Sequence, residues 1–197
     1  MIDRQDEPLT NGDAHPEETE SSRIDRKKRE RRREIRGWVI SLVAAIVIAL
    51  LLRFFVFEFI RVEGPSMEPT LSTNEYVFME KMTYRFAEPD RGDIVICKFP
   101  GRKETFVKRV IGIEGDVLEI RSGVLYVNGA ASYDYYDGVM NVALGELIVP
   151  ESTVFVMGDN RNHSMDSTSS SIGALGYDMI LGKASFILWP PGKIDGL

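Results

Sequence analysis

Two residues of this chain could form a nucleophile and its base, Ser66 and Lys108. Ser66 lies in Gly64-Pro65-Ser66-Met67-Glu68-Pro69-Thr70-Leu71. Each proline fixes its own φ and biases the preceding residue toward an extended form, so the segment reads as stiff and non-helical. Gly64 offers no side chain two positions before the hydroxyl, which leaves room for another backbone to approach. A nucleophilic serine needs such a setting: a rigid backbone, an exposed Oγ, and a free N–H to stabilise an oxyanion. A serine beside a proline is also an ordinary solvated turn residue. The choice rests on whether the chain supplies a base.

The histidines are His15 and His163. His163 sits between Asn162 and Ser164 in a polar stretch, so a Ser–His–Asp triad would have to use a histidine from a solvated loop. Lys108 lies in Phe106-Val107-Lys108-Arg109-Val110-Ile111-Gly112-Ile113, where Val107, Val110 and Ile111 can strip its solvation. With an ordinary pKa near 10.4, only about one lysine in a thousand is neutral at pH 7.4. Burial favours the neutral amine, which could take the proton of Ser66 and pass it to a leaving amine. On pattern alone Lys108 is equally the exposed position of an alternating strand.

A third stretch, Met157-Gly158-Asp159-Asn160-Arg161-Asn162-His163-Ser164-Met165-Asp166-Ser167, marks a tight, internally hydrogen-bonded loop after an apolar strand. It could be structural only, or it could supply a hydroxyl that holds a buried amine. Its acidic spacing does not follow an EF-hand. Cys97 is the only cysteine and lies in Ile94-Val95-Ile96-Cys97, so it reads as a small core residue, and no Cys-rich metal site or disulfide is expected.

These side chains need a scaffold, and the chain divides into three parts. Residues 1–36 are a charged tail, with seven acids and one arginine over residues 1–20, then nine basic residues against three acids over 23–36. Disorder is expected at least through Ser22. The basic cluster before an apolar run fits the positive-inside rule better than a nucleic-acid patch. Residues 37–57 form a transmembrane signal-anchor: Trp38 to Phe57 carries one charge, Arg53, over a length that spans a hydrocarbon core of about 30 Å. A cleaved signal peptide should have a shorter apolar core and small residues at its exit, whereas this run ends in Phe-Phe-Val-Phe-Glu-Phe-Ile. The N-terminus is expected in the cytoplasm and residues 58–197 outside.

Residues 58–197 have a β-rich texture, with strands expected at 75–80, 93–98, 105–113, 117–120, 124–127, 153–157 and 181–188. Arg121-Ser122-Gly123 and Asn128-Gly129 read as turns. Residues 130–147, with Tyr133, Tyr135 and Tyr136, read as an irregular excursion whose tyrosines pack the loop or touch membrane or substrate. From Glu58 onward 13 basic residues face 20 acids, which argues against nucleic acid as a partner.

Ser-Met-Glu-Pro-Thr-Leu at 66–71, Arg-Gly-Asp-Ile-Val at 91–95, Lys-Arg-Val-Ile-Gly-Ile-Glu-Gly-Asp at 108–116, and Gly-Asp-Asn-Arg at 158–161 with Ser164 and Asp166 occur in order. Together, over about residues 38–190, they resemble the bacterial type I signal peptidases of peptidase family S26, in the Gram-positive-like form. The resemblance implies a mainly β fold: a β-rich catalytic domain on one N-terminal transmembrane helix. It implies a membrane-bound serine endopeptidase that removes signal peptides from exported preproteins after small residues, with no cofactor or metal. Ser66 would be the nucleophile and its backbone N–H an oxyanion donor. Lys108 would be the base and Ser164 would orient it. Arg109 and Asp159 would form a bracing ion pair, with Asp166 a further support. Preproteins, the lipid bilayer and, as a further candidate, the protein-export machinery are the implied partners. Phe59, Ile60 and Val62 are candidates for substrate or membrane contact, or plain structure. The alternative is a signal-peptidase-like anchor without catalysis that assists surface-protein assembly.

Gly64 stands, as in many Gram-positive members, where other members have a serine whose hydroxyl gives a second oxyanion donor. The chain departs from the family pattern at three further points. Glu114 stands where proline is usual. Thr168 stands where arginine is usual, which leaves the partner of Asp166 to be found. Ser169-Ser170-Ser171-Ile172-Gly173 replaces a more aromatic stretch.

Overall fold

The computed structural model describes residues 20–133, 135 and 138–197. Its first element is the helix α1 (Glu20–Phe55). A charged tail without structure through Ser22 therefore holds for no residue from Glu20 onward, and residues 1–19 lie outside the described residues. The physical reason lies in the composition. Arg, Lys and Glu are good helix formers, and a helix already nucleated in the apolar run propagates into them without a new nucleus. The part from Arg26 to Phe55 is long and apolar enough to cross a membrane.

The helix stops at Phe55, two residues short of the expected end. Val56 N–H still donates to Leu52 C=O at 2.8 Å, and Val56 C=O already accepts from Lys81 N–H at 2.9 Å. A strand, β1 (Phe57–Arg61), starts at once and pairs antiparallel with β2 (Tyr76–Glu80). Phe57, Phe59 and Phe78 cluster across this ladder with ring centroids 5.3 to 6.0 Å apart, and such cross-strand aromatic pairs favour the strand. Because β1 follows the apolar helix with no turn-signal residue between them, the change of period is hidden.

A one-turn helix, α2 (Thr83–Phe86), leads to β3 (Ile94–Lys98) and β4 (Thr105–Ile113). Four strands follow: β5 (Val117–Arg121), β6 (Val124–Val127), β7 (Ala130–Ser132) and β8 (Leu144–Ile148). The chain closes with β9 (Thr153–Met157), β10 (Leu175–Gly176), β11 (Ile180–Trp189) and β12 (Asp195–Gly196). One sheet runs β1-β2-β11-β3-β4-β9-β10, with β12 beside β11; the other runs β7-β6-β5-β8. The fold is mainly β, as expected.

The small sheet is an insertion. β4 pairs directly with β9, Ile113 facing Val154, so residues 114–152 leave and return at neighbouring positions. Two tight turns shape it. Ser122 and Gly123 (φ 52° and 77°) join β5 to β6, and Asn128 and Gly129 (φ 52° and 79°) join β6 to β7. Positive φ at both central residues is the type I′ geometry that matches strand twist. β7 and β8 fall inside the stretch expected to be irregular. Ala130–Ser132 is short and Leu144–Ile148 contains a glycine, so neither carries a strong strand signal.

Alternation along the central strands distributes side chains between separate cores. From β3, Ile94 and Ile96 join Val62, Met67, Leu71, Val77 and Met79 in one cluster, while Val95 and Cys97 join Val110, Val154 and Val156 in another. A third cluster fills the space between the sheets, with Ile111, Phe155 and Met157 against Leu118, Ile120 and Leu125.

Gly182 on β11 is a close crossing. A Cβ there would meet Glu80 C=O oxygen at 2.3 Å and Met79 Cγ at 2.9 Å. Because the first obstacle is backbone, Gly182→Ala must pry β11 from β2 and should destabilise the protein by about 1–3 kcal/mol, the usual penalty of overpacking. A fall in denaturation midpoint with an unchanged far-UV circular dichroism spectrum is the expected result.

Candidate active site

β4 fixes the most important side chain. Alternation puts Lys108 on the face shared with Phe106 and Val110, opposite Val95 across the ladder, and the residue is only 2 % exposed. Burial drives its pKa below the ordinary lysine value, with Asp166 and Asp159 pulling in the other direction. Cys97 is a buried neighbour whose own thiol is pushed up to about 12 by desolvation, so it stays neutral at working pH.

Ser66 comes from the turn after β1. Met67, 1 % exposed, and Leu71, fully buried, pin this turn into the first core cluster, and Leu71 N–H donates to Met67 C=O at 2.8 Å. The outcome is a hydrogen bond of 2.7 Å between Ser66 Oγ and Lys108 Nζ. A cleft of about 540 Å³ opens over this pair. Ile60, Arg61, Val62 and Glu63 line one side, and residues 104–108 of the β4 side line the other.

Arg109, next along β4, points to the opposite face. Its Nε and Nη2 donate to Asp159 at 2.9 and 2.7 Å, and its Nη1 donates to Gly92 C=O at 2.8 Å. Both partners are buried, and Tyr135 covers the guanidinium with its ring centroid 3.8 Å away. A buried ion pair holds only when its remaining hydrogen bonds are satisfied, as here. Tyr135 therefore lays one ring face on this guanidinium while staying half exposed; Tyr133 is exposed as well, and Tyr136 lies outside the described residues.

Asp166 is 1 % exposed and accepts Gly158 N–H at 3.1 Å and the hydroxyl of Thr168 at 2.7 Å. The threonine that replaces the family's arginine is thus the partner, a neutral donor in place of a cation. Ser164 Oγ is buried and has no hydrogen-bond partner among the described residues. It lies against Gly158 instead of bonding Lys108: a Cβ on Gly158 would sit 2.4 Å from Ser164 Oγ and 2.3 Å from Ser66 C=O oxygen. Only glycine lets these two segments come so close. Gly64 has φ 86°, a backbone form that suits glycine. Glu114 takes Ser152 N–H at 2.8 Å, a turn contact that a proline there could not make.

His163 is exposed, and its Nδ1 lies 3.0 Å from Asn160 Oδ1. It is not the base in this arrangement. Val62 is core, at 3 % exposure, Ile60 lines the cleft, and Phe59 is exposed within the aromatic cluster.

The chain departs from its sequence reading at Asn160, which was visible only as one polar residue in a polar loop. Asn160 N–H donates to Ser66 C=O at 3.0 Å and its Nδ2 to Pro65 C=O at 3.1 Å. No local pattern signals a partner that is 95 residues away.

The family described as "Signal peptidase, peptidase S26" matches residues 35–189. The chain is 36% identical over 179 residues to a signal peptidase I of Bacillus licheniformis, covering 85% of this chain and 96% of that one. It is 38% identical over 164 residues to signal peptidase I T of Bacillus subtilis (strain 168), covering 78% and 84%. A crystal structure of a signal peptidase I from Enterococcus faecalis V583 aligns over 50% of this chain and 98% of its own length, at 29% identity and a TM-score of 0.44. With the match running from inside the apolar helix through β11, the chain belongs to the signal peptidase family, peptidase S26.

Proposed function

We propose that this signal peptidase cuts preproteins with a Ser66–Lys108 dyad at the outer face of a bilayer in which α1 anchors it. The observation that carries the reading is the 2.7 Å contact between a hydroxyl and a buried amine. When Lys108 is neutral, Ser66 O–H donates to the lone pair of Nζ, and the proton leaves as Oγ attacks the scissile carbonyl. The protonated amine then returns that proton to the departing amine of the substrate. Water repeats the cycle on the acyl-enzyme. Ser164 Oγ is the buried hydroxyl without a partner in reach of this loop, and in our reading it holds the amine once Ser66 has given up its proton.

Substrate recognition needs only the backbone. On β4, residues 105–108 pair with β3 on one edge, and β9 pairing begins at Arg109, so their second edge is open toward the cleft. An extended preprotein segment can add there as a strand while small side chains face the shallow wall. Charge sets the orientation: the basic residues of 23–36 stay cytoplasmic, and residues 58–197 form the outer domain. Preproteins and lipid are then the partners, with the export machinery a further one. A non-catalytic anchor has no comparable support, because it gives the buried amine nothing to do.

Ser66→Ala should abolish cleavage of a preprotein by the detergent-solubilised enzyme. Lys108→Arg should lower kcat/KM by at least about 10²–10⁴-fold, the usual share of acid–base catalysis, since a guanidinium keeps its proton. Ready turnover by either variant would end the dyad reading.

The depressed lysine also fixes a pH profile. Activity should rise with pH along a limb whose midpoint lies below the ordinary lysine value of about 10.4. A limb at that value would show an unperturbed amine.

The same shift has a stability counterpart. Between the folded and the unfolded lysine values the unfolded chain holds the extra proton, so folding stability rises with pH across that window. Lys108→Met, similar in volume and uncharged, should remove that slope and raise stability at pH 7 by roughly 0.5–2 kcal/mol while ending activity. Denaturant titrations at several pH values check both.

A further inference from the structure

Gly64 gives this chain no side-chain hydroxyl at the position where some relatives have a second donor, so the Ser66 N–H must be aimed well. The bond joining Pro65 to Ser66 is not among the cis peptides. In a planar trans peptide the C=O and the N–H point in opposite directions, so whatever holds Pro65 C=O also aims Ser66 N–H. Two donors hold that carbonyl: Glu68 N–H at 3.1 Å, from within the turn, and Asn160 Nδ2 at 3.1 Å, from the distant loop. The next peptide is held as well, because Ser66 C=O accepts Asn160 N–H at 3.0 Å. One residue thus fixes both peptide planes that flank the Ser66 Cα.

The contact also determines which way the Asn160 amide faces. Were it turned over, its oxygen would meet Pro65 C=O, and two acceptors cannot bond. With Nδ2 on Pro65, Oδ1 faces His163 Nδ1 at 3.0 Å, so the imidazole carries a proton on Nδ1 and donates. His163 N–H further donates to Asn160 C=O at 2.9 Å, closing the single turn Arg161–His163. The side-chain and backbone bonds together leave the amide one orientation.

We infer that Asn160 is a positioning residue for peptide-bond cleavage: it aims the Ser66 N–H at the developing oxyanion, and His163 locks the Asn160 amide in its donating orientation. The inference rests on Ser66 being the nucleophile. Asn160 touches no reacting atom, so its effect belongs to the transition state and not to substrate binding.

The test uses the full chain in detergent, a peptide substrate with small residues before the cut, and a peptide boronate whose tetrahedral adduct on Ser66 places an oxygen in the oxyanion position. Asn160→Asp keeps the shape and loses the donor. It should lower kcat by about 10–10²-fold, somewhat below the loss of an oxyanion donor itself. KM should stay within about two-fold, and boronate affinity should fall in step with kcat. Asn160→Ala should behave alike; if it fails to fold, Asn160→Asp still decides. His163→Ala should lose about five-fold, the equivalent of one ordinary hydrogen bond. His163→Asn, whose Nδ2 occupies the place of the imidazole Nδ1, should recover most of that.

Wild-type kcat in Asn160→Asp overturns the inference. So does a rise in KM at constant kcat, or a kcat loss that boronate affinity does not follow. His163→Asn no better than His163→Ala removes the part assigned to His163. Ser66→Ala, run alongside, separates the two levels: if it still cleaves, the dyad fails, and if it is dead while Asn160→Asp is normal, only the Asn160 role fails.

Discussion

The structure depends on keeping water away from one amine. An exposed Lys108 would be an ammonium at any ordinary pH and could accept nothing. Inside the second core cluster, beside Val95, Phe106 and Val110, the cation loses hydration that no adjacent carboxylate restores. Asp166 and Asp159 act on it through space, but their own hydrogen bonds go elsewhere, to Gly158 and Thr168 in one case and to Arg109 in the other. The acids are occupied, so the amine is left with a hydroxyl.

Two successive residues of one strand meet opposite requirements. Burial pushes the Lys108 amine toward its neutral form, whereas the buried Arg109 guanidinium is met by Asp159, Gly92 and Tyr135. Strand alternation makes this coexistence workable: a one-residue slip of β4 would put a permanent cation beside Ser66. The pairing of Ile94 with Arg109 and Val95 with Lys108 therefore has chemical as well as mechanical meaning.

Much of the strand framework was legible from sequence. Residues 105–113, 124–127 and 153–157 are strands at the expected limits because β-branched residues alternate there between clear turn signals. Ser66 and Lys108 could be named, but their meeting could not be derived from spacing, since it depends on how Met67 and Leu71 seat the turn in the core. β1 is hidden because it follows the apolar helix with no turn signal, and β7 and β8 lie in a stretch with weak propensity. The helix reaches back to Glu20 because an adjacent apolar helix supplies the nucleus that charge density alone does not signal. Asn160 was overlooked for a plainer reason: a polar residue in a polar loop has no signature for what it grips across the fold.

The small sheet departs from β4 after Ile113 and rejoins at β9 opposite it, so its two ends are stitched into one ladder. Lengthening or trimming residues 114–152 would leave the register of Lys108 and Arg109 undisturbed, since that register is set by β3 and by the first residues paired to β9. What such a change would uncover is the underside of Phe155 and Met157, which the inserted strands roof. The excursion is therefore a place where this scaffold can acquire new surface, provided each version still brings enough apolar side chains to keep that floor dry.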